Sequence, residues 1–174
     1  MNIVLTGFMA SGKTSIAKAI AGISDYKYID TDDMITSSEG RSINEIFKVS
    51  GEAEFRRIER EAVRRAAELS GHVISTGGGV PLDAANIRAL RKNGIIVNLA
   101  PDFSVIEARI KSAAATRPLL RDRSIDEIRA RFEARKPFYD DCDVKIKVSN
   151  EVTPKEYAKE IIKKCEEFSR VENE

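Results

Sequence analysis

A parallel α/β fold with helices on both faces of the sheet is predicted for this 174-residue chain by three observations. The apolar run Ile3-Val4-Leu5 leads into a glycine-rich stretch, Gly7-Phe8-Met9-Ala10-Ser11-Gly12-Lys13-Thr14, and helical spacing of Ile16, Ile20 and Ile23 follows. Strand-like and helix-like segments then alternate to the end, with no repeat or low-complexity tract. Residues 95–99 form a nearly unbroken apolar run, as expected of a central strand covered on both faces. Such alternation implies right-handed crossovers and a parallel sheet.

The elements can be justified in order. Residues 7–14 match a phosphate-binding loop, and the flanking strand and helix are its required context. Backbone N–H groups of residues Ala10, Ser11, Gly12, Lys13, Thr14 and Ser15, backed by the helix dipole, cradle a polyphosphate. Lys13 is placed to reach the β/γ-phosphates and the Thr14 hydroxyl to join a Mg²⁺ shell, so the chain binds a nucleoside triphosphate. Tyr28-Ile29-Asp30 reads as a second strand, followed by a helical stretch. Ser42-x-x-Glu45 is a capping box opening a short helix that ends near Val49. A longer helix from about 52 to 69 has apolar positions at Phe55, Ile58, Ala62, Ala66 and Leu69, and Gly71 stops it. Val73-Ile74 is a short strand running into Gly77-Gly78-Gly79; Asp83 caps the next helix, which closes at Gly94. A helix follows Asp102, and the register is lost over residues 112–123. Ser124-x-x-Glu127, a second capping box, opens a helix that Pro137 ends. Residues 144–148 supply the last strand, and Tyr157, Ile161, Cys165 and Phe168 stripe the terminal helix.

Composition narrows the function. Lys and Arg number 29 against 28 Asp and Glu, and a net charge of +1 gives no electrostatic reason to expect nucleic acid. No segment approaches the roughly 20 apolar residues of a membrane span, and the N-terminus leaves no room for a signal peptide. Cys142 and Cys165 read as free thiols, and His72 as structural or surface. The expectation is a single-domain, cytoplasmic enzyme without nucleic-acid or membrane partners.

Ligands in such sheets gather at the carboxyl ends of the strands. Asp30-Thr31-Asp32-Asp33 lies at the mouth of the second strand. Asp33 reads as the cap of the following helix, whereas Asp30 and Asp32, alternating along extended chain, suit a water-bridged metal and a proton acceptor. The triple glycine suggests a ligand approaching bare backbone. Arg56, one place off its helix's apolar stripe, and Arg135, just before Pro137, are candidate ligands. The stretch 112–123, containing Thr116-Arg117-Pro118-Leu119-Leu120, reads as a lid whose arginine meets charge developing on the moving phosphate.

Together, Gly7–Thr14, Asp30-Thr31-Asp32, Phe55-Arg56-Arg57-Ile58-Glu59, Ser75-Thr76-Gly77-Gly78-Gly79, Arg117-Pro118-Leu119-Leu120 and Arg135-x-Pro137-x-Tyr139 resemble the shikimate kinase family, from about residue 2 to 148. The resemblance implies a P-loop, nucleoside-monophosphate-kinase-like three-layer sandwich with a five-stranded parallel sheet ordered 2-3-1-4-5. It implies one kinase domain: a core of about 1–32, 71–111 and 124–170, a shikimate-binding subdomain of about 33–61, and a lid of about 112–123. The implied reaction is ATP-dependent phosphorylation of the 3-hydroxyl of shikimate, on the way to chorismate and the aromatic amino acids, by a monomer. Carried over by position, Lys13 and Arg117 handle the phosphates, while Thr14 binds Mg²⁺ with Asp30 behind it through water. Asp32 contacts substrate hydroxyls and is the candidate base. Arg56, Arg135 and the backbone of Gly77, Gly78 and Gly79 hold the substrate, Glu59 orients arginine, and Phe47 and Phe55 wall the pocket. Such roles answer the chemistry of a small carboxylated triol: arginines for the carboxylate, an aspartate for the hydroxyls. Two departures stand out. Ala10 replaces a common glycine, and Arg109-Ile110-Lys111 with Asn150-Glu151-Val152-Thr153-Pro154 predicts an apolar and acidic adenine edge without a stacked arginine. A gluconate kinase or a non-catalytic nucleotide-binding module is the alternative.

Overall fold

The computed structural model describes residues 1–114 and 124–171. Five parallel strands, β1 (Asn2–Thr6), β2 (Lys27–Asp30), β3 (His72–Ser75), β4 (Gly94–Pro101) and β5 (Val144–Val148), lie in the order β2-β3-β1-β4-β5. The helices between them are α1 (Lys13–Ile23), α2 (Thr31–Glu39), α3 (Ile43–Ala67), α4 (Ala84–Arg91), α5 (Phe103–Ala114), α6 (Ile125–Tyr139) and α7 (Pro154–Val171).

Strand alternation divides the core in two. Ile3 and Leu5 join Val73, Ile95 and Val97 on one face, under Ile16 and Ile20 of α1 and Tyr157, Ile161 and Cys165 of α7. Val4, Ile74 and Ile96 point to the other face, under Val63 and Ala66 of α3 and Ile87 and Leu90 of α4. Since β1 is buried on both sides, its glycine-rich continuation is anchored in the middle of the sheet. At the β5 edge only alternate residues are buried, and Lys145 and Lys147 face solvent, which discourages edge-to-edge pairing. A third cluster, Phe8 with Phe103, Ile106, Phe132 and Tyr139, seats α5 and α6 beside the loop. A fourth, Ile35, Ile46, Phe55, Ile58 and Ala62, joins α2 to the first part of α3 away from the sheet. Among the described residues, no helix is long and apolar enough to cross a membrane. Cys142 and Cys165 are free thiols, and His72 opens β3.

Both capping boxes form, at Ser42/Glu45 and Ser124/Glu127. The two helices expected on either side of residues 50–51 are both present within α3, parted at Gly51, whose φ 80° and ψ 174° are not helical. Three boundaries differ from expectation. The second of these helices ends at Ala67, before Gly71 is reached. Pro137 does not end α6, which continues to Tyr139, and Asp140 N–H still bonds to the Lys136 carbonyl at 3.3 Å. A proline in the last turn loses only its own N–H bond, and the Glu133 residue it leaves behind is exposed to water. Helix α5 extends to Ala114, so residues 112–114 of the expected lid are helical. The rest of that lid, with Arg117, lies outside the described residues.

Candidate active site at the carboxyl ends of the strands

The loop between β1 and α1 wraps around the Lys13 ammonium. Lys13 Nζ donates to the carbonyls of Gly7 at 2.7 Å and Phe8 at 3.0 Å. Burial lowers its pKa to about 8, and the carboxylates of Asp32 and Asp30 oppose that shift. Ser11 is fully buried, and Ser11 N–H closes the turn onto the Phe8 carbonyl at 3.2 Å. Ala10 adopts φ 60°, the left-handed region that costs an L-residue about 1–2 kcal/mol. The departure at this position is thus a strained residue in the phosphate cradle itself.

Across from the loop, the capping role falls to a different carboxylate from the one expected. Asp30, not Asp33, caps α2: its Oδ1 accepts from Asp32 N–H at 2.9 Å. Asp33 is an exposed first-turn residue. Asp32 stands in that same first turn rather than on extended chain, because the cap starts the helix immediately after β2. Burial, with Asp30 and Glu59 nearby, raises the Asp32 pKa to about 6, and Lys13 opposes the rise. The Tyr28 hydroxyl donates to Asp30 Oδ2 at 3.4 Å and lies within hydrogen-bonding reach of the Thr14 hydroxyl. Burial and the charge of Asp30 push this phenol up to about 12. Thr14 and Asp30 therefore meet through one intervening hydroxyl.

The triple glycine makes room for side chains of the protein itself. A β-carbon on Gly77 would sit 2.5 Å from Asp32 Oδ1, and one on Gly79 would collide with the Arg56 guanidinium, 3.0 Å from its Cζ. Arg56 is held by Glu59 at 2.7 Å and Glu52 at 3.4 Å, with its guanidinium 5.3 Å from the Phe55 ring centroid. Glu59 is 2% exposed, and burial raises its pKa against the opposing charges of Arg56 and Arg135. Phe47 stacks obliquely on Phe55, 4.3 Å between centroids, and stays 37% exposed at the rim. From α6, Arg135 comes within reach of the Tyr139 hydroxyl, which donates to the Gly78 carbonyl at 2.7 Å. Asp32, Arg56, Arg135 and Glu59 thus gather about one glycine turn, with Lys13 close enough for its charge to bear on Asp32.

A separate hollow of about 410 Å³ flanks the loop, lined by Ala10, Gly12, Ser15, Arg109, Val152, Pro154 and Tyr157 among others. Arg109 reaches into it, donating to the Ala10 carbonyl at 2.9 Å, Asn150 Oδ1 at 2.8 Å and the Ser149 carbonyl at 3.2 Å. Of the segments expected at the adenine edge, Arg109, Val152 and Pro154 line this hollow, and most of its other lining is apolar. The helical turn of α5 aims Arg109 at the loop, and among the described residues no acidic side chain lines the hollow.

Comparison with known proteins decides the family: the family model described as shikimate kinase matches residues 9–166. The chain belongs to the shikimate kinase family. A shikimate kinase from Caldanaerobacter subterraneus is 45% identical over 163 residues, covering 93% of this chain and 94% of that protein. The crystal structure of shikimate kinase from Aquifex aeolicus superposes with a TM-score of 0.81 at 32% identity, covering 97% and 98% of the two chains. The Acinetobacter baumannii enzyme, solved in complex with shikimate, gives 0.82 at 28% identity over 93% and 90%. A gluconokinase from Sinorhizobium meliloti shares the fold alone, with a TM-score of 0.63 at 18% identity.

Within this shikimate kinase fold, three participants carry no role in the sequence reading: Tyr28, Tyr139 and Thr31, whose hydroxyl accepts from Gly77 N–H at 2.9 Å. Tyr139 stood in a recognisable motif, but its partner lies 61 residues away, and no local pattern announces such a bond. The Thr14 hydroxyl and Asp30 carboxylate are hard oxygen donors of the kind Mg²⁺ prefers. Among the described residues, no cluster of three His, Cys, Asp or Glu side chains forms a closed metal cage. That donor set fits a cation held mainly by phosphates and water.

Proposed function

We propose that this chain transfers the γ-phosphate of ATP to the 3-hydroxyl of shikimate, giving shikimate 3-phosphate and ADP. The observation that carries the reading is the gathering of Asp32, Arg56, Arg135 and Glu59 around residues 77–79, with Lys13 in electrostatic contact with Asp32. Arg56 and Arg135 come from different helices and answer the carboxylate with charge-assisted hydrogen bonds. Glu59 holds both charges in place, the Gly77, Gly78 and Gly79 backbone supports the ring, and Phe47 and Phe55 wall it. Asp32 hydrogen-bonds the 3-hydroxyl and takes its proton as the new oxygen–phosphorus bond forms and the bond to ADP breaks. With a pKa of about 6 it is ionised at neutral pH yet more basic than an ordinary aspartate. Lys13 leaves the Gly7 and Phe8 carbonyls for the incoming phosphates, joined by Ala10, Ser11, Gly12, Thr14 and Ser15 of the loop and by Arg117. Thr14 and, through water, Asp30 would hold Mg²⁺, which would neutralise phosphate charge. Arg109 closes the adenine side. Residues 33–61 form the substrate-binding part. One chain supplies every side chain named, so we take the enzyme as a monomer, and we place it in the cytoplasm, where its co-substrate ATP is made available.

A coupled ADP-release assay over a panel of hydroxy acids tests this reading, with shikimate alone expected to stimulate turnover. Preference for gluconate, or ATP hydrolysis indifferent to any acceptor, would replace it by one of the two alternatives. Arg56→Ala and Arg135→Ala should each raise the KM for shikimate at least about tenfold while ATP binding is kept, as loss of a charged contact predicts. Lys13→Ala should abolish turnover.

A further inference from the structure

Tyr139 has no part in the reaction just described, yet its hydroxyl occupies a singular place. The ring is 5% exposed and packs in the cluster that includes Phe8, Ile128 and Phe132. Its hydroxyl donates to the Gly78 carbonyl at 2.7 Å. The same oxygen lies within reach of an N–H from Arg135, one helical turn earlier on the same face of α6. That face persists because α6 continues through Pro137. The Gly78 peptide, for its part, is close to the phosphate-binding loop: a β-carbon there would lie 3.9 Å from both Gly7 O and Met9 N, and 4.0 Å from Tyr139 Oη. A hydroxyl accepts and donates through a single atom, which phenylalanine cannot do although it would fill the same space.

We propose that Tyr139 is a positioning residue that ties the Arg135 guanidinium to the Gly78 peptide and so sets the distance between two sides of the substrate site. The inference rests on the substrate reading above. A small rigid molecule gripped at both ends loses affinity when the grips drift by fractions of an ångström, whereas nucleotide bound on the far side of the loop does not feel that drift.

Steady-state kinetics of Tyr139→Phe with shikimate and ATP tests it. The KM for shikimate should rise about five- to tenfold, the loss expected for one hydrogen bond, with the KM for ATP within about twofold of wild type. Placed on an Arg135→Ala background, the same change should add at most about a twofold effect, because the contact it removes is already gone. An unchanged shikimate KM, an equal rise in both KM values, or full additivity with Arg135→Ala would overturn the proposal and leave Tyr139 as core packing. Should Tyr139→Phe fail to fold, Tyr139→His carries the test. An imidazole donates from one nitrogen and accepts only at the other, so no single atom can bridge Gly78 and Arg135 as the phenol oxygen does; the same selective rise is expected, and its absence is equally decisive. Wild-type protein that does not phosphorylate shikimate would overturn both this inference and the substrate reading. Wild-type turnover beside an unaffected Tyr139→Phe variant overturns this inference alone.

Discussion

The glycine at position 79 separates two meanings that a run of glycines can have. A glycine kept for a turn tolerates alanine when its φ is ordinary and space is open, and Gly78 meets both conditions, with nothing nearer than 3.9 Å to an added β-carbon. Gly79 fails the second, since the added carbon would displace the Arg56 guanidinium. An arginine tip is flexible, so the fold can absorb the intrusion cheaply. What it cannot keep is the geometry that Glu59, Glu52 and the Phe55 ring impose on that tip. Gly79→Ala should therefore lower the melting temperature by only a few degrees, about 1 kcal/mol, while raising the KM for shikimate on the order of tenfold and leaving that for ATP alone. A large loss of stability with normal kinetics would mean that the site is not where Arg56 acts. The sequence made the three glycines conspicuous, but which of them shelters a side chain depends on residues far off in the chain, Asp32 against Gly77 and Arg56 against Gly79.

Among the elements, ends that are written in local chemistry were legible. Ser42 and Ser124 each bond the third helical N–H, and Glu45 and Glu127 return the favour, so both capping boxes fall where spacing put them. Ends that depend on context were not: Pro137 is harmless in a last turn, and the cap of α2 passed from Asp33 to Asp30 because β2 stops at Asp30. The kink in α3 belongs to both kinds. Gly51 holds φ 80° and ψ 174°, a conformation almost confined to glycine, and that bend directs the segment carrying Phe47 back over Phe55. Gly51→Ala should strain or straighten the joint, destabilising the chain by about 1–3 kcal/mol and separating the two rings. Thermal melts and shikimate titration should move together in this variant, unlike Gly79→Ala. A variant with wild-type melting and affinity would show that the bend is incidental.

For the molecule as a whole, alternation of strands and helices foretold the layers, while the strand order came through family resemblance, since no local pattern says that β1 lies between β3 and β4. The same long-range assembly produces the charges that govern pH behaviour. Asp32 titrates at about 6 in the fold against an ordinary 3.8, so between those values the folded chain keeps a proton that the unfolded chain has released. Stability due to this group must fall as pH rises from about 4 to 6 and stay lower above, by up to about 3 kcal/mol. Lys13 behaves in the opposite window. At about 8 against 10.5, the folded chain has lost a proton that the unfolded chain still holds, so its contribution improves as pH rises from about 8 to 10.5. Between 6 and 8 both groups are charged and both strain the unliganded fold, which is the state that bound phosphates and a substrate hydroxyl relieve. Urea melts of wild type and Asp32→Asn across pH 4–8 isolate the first effect, because carboxylates common to both cancel in the difference. Asp32→Asn should gain on wild type as pH rises from 4 to 6 and hold a constant advantage beyond. In the wild-type enzyme, kcat/KM should form a bell with apparent limbs near 6 and 8, values that belong to the interacting pair. A difference in stability that is flat with pH, together with a kcat/KM that does not fall below pH 6, would show that Asp32 carries an ordinary carboxylate rather than a buried base.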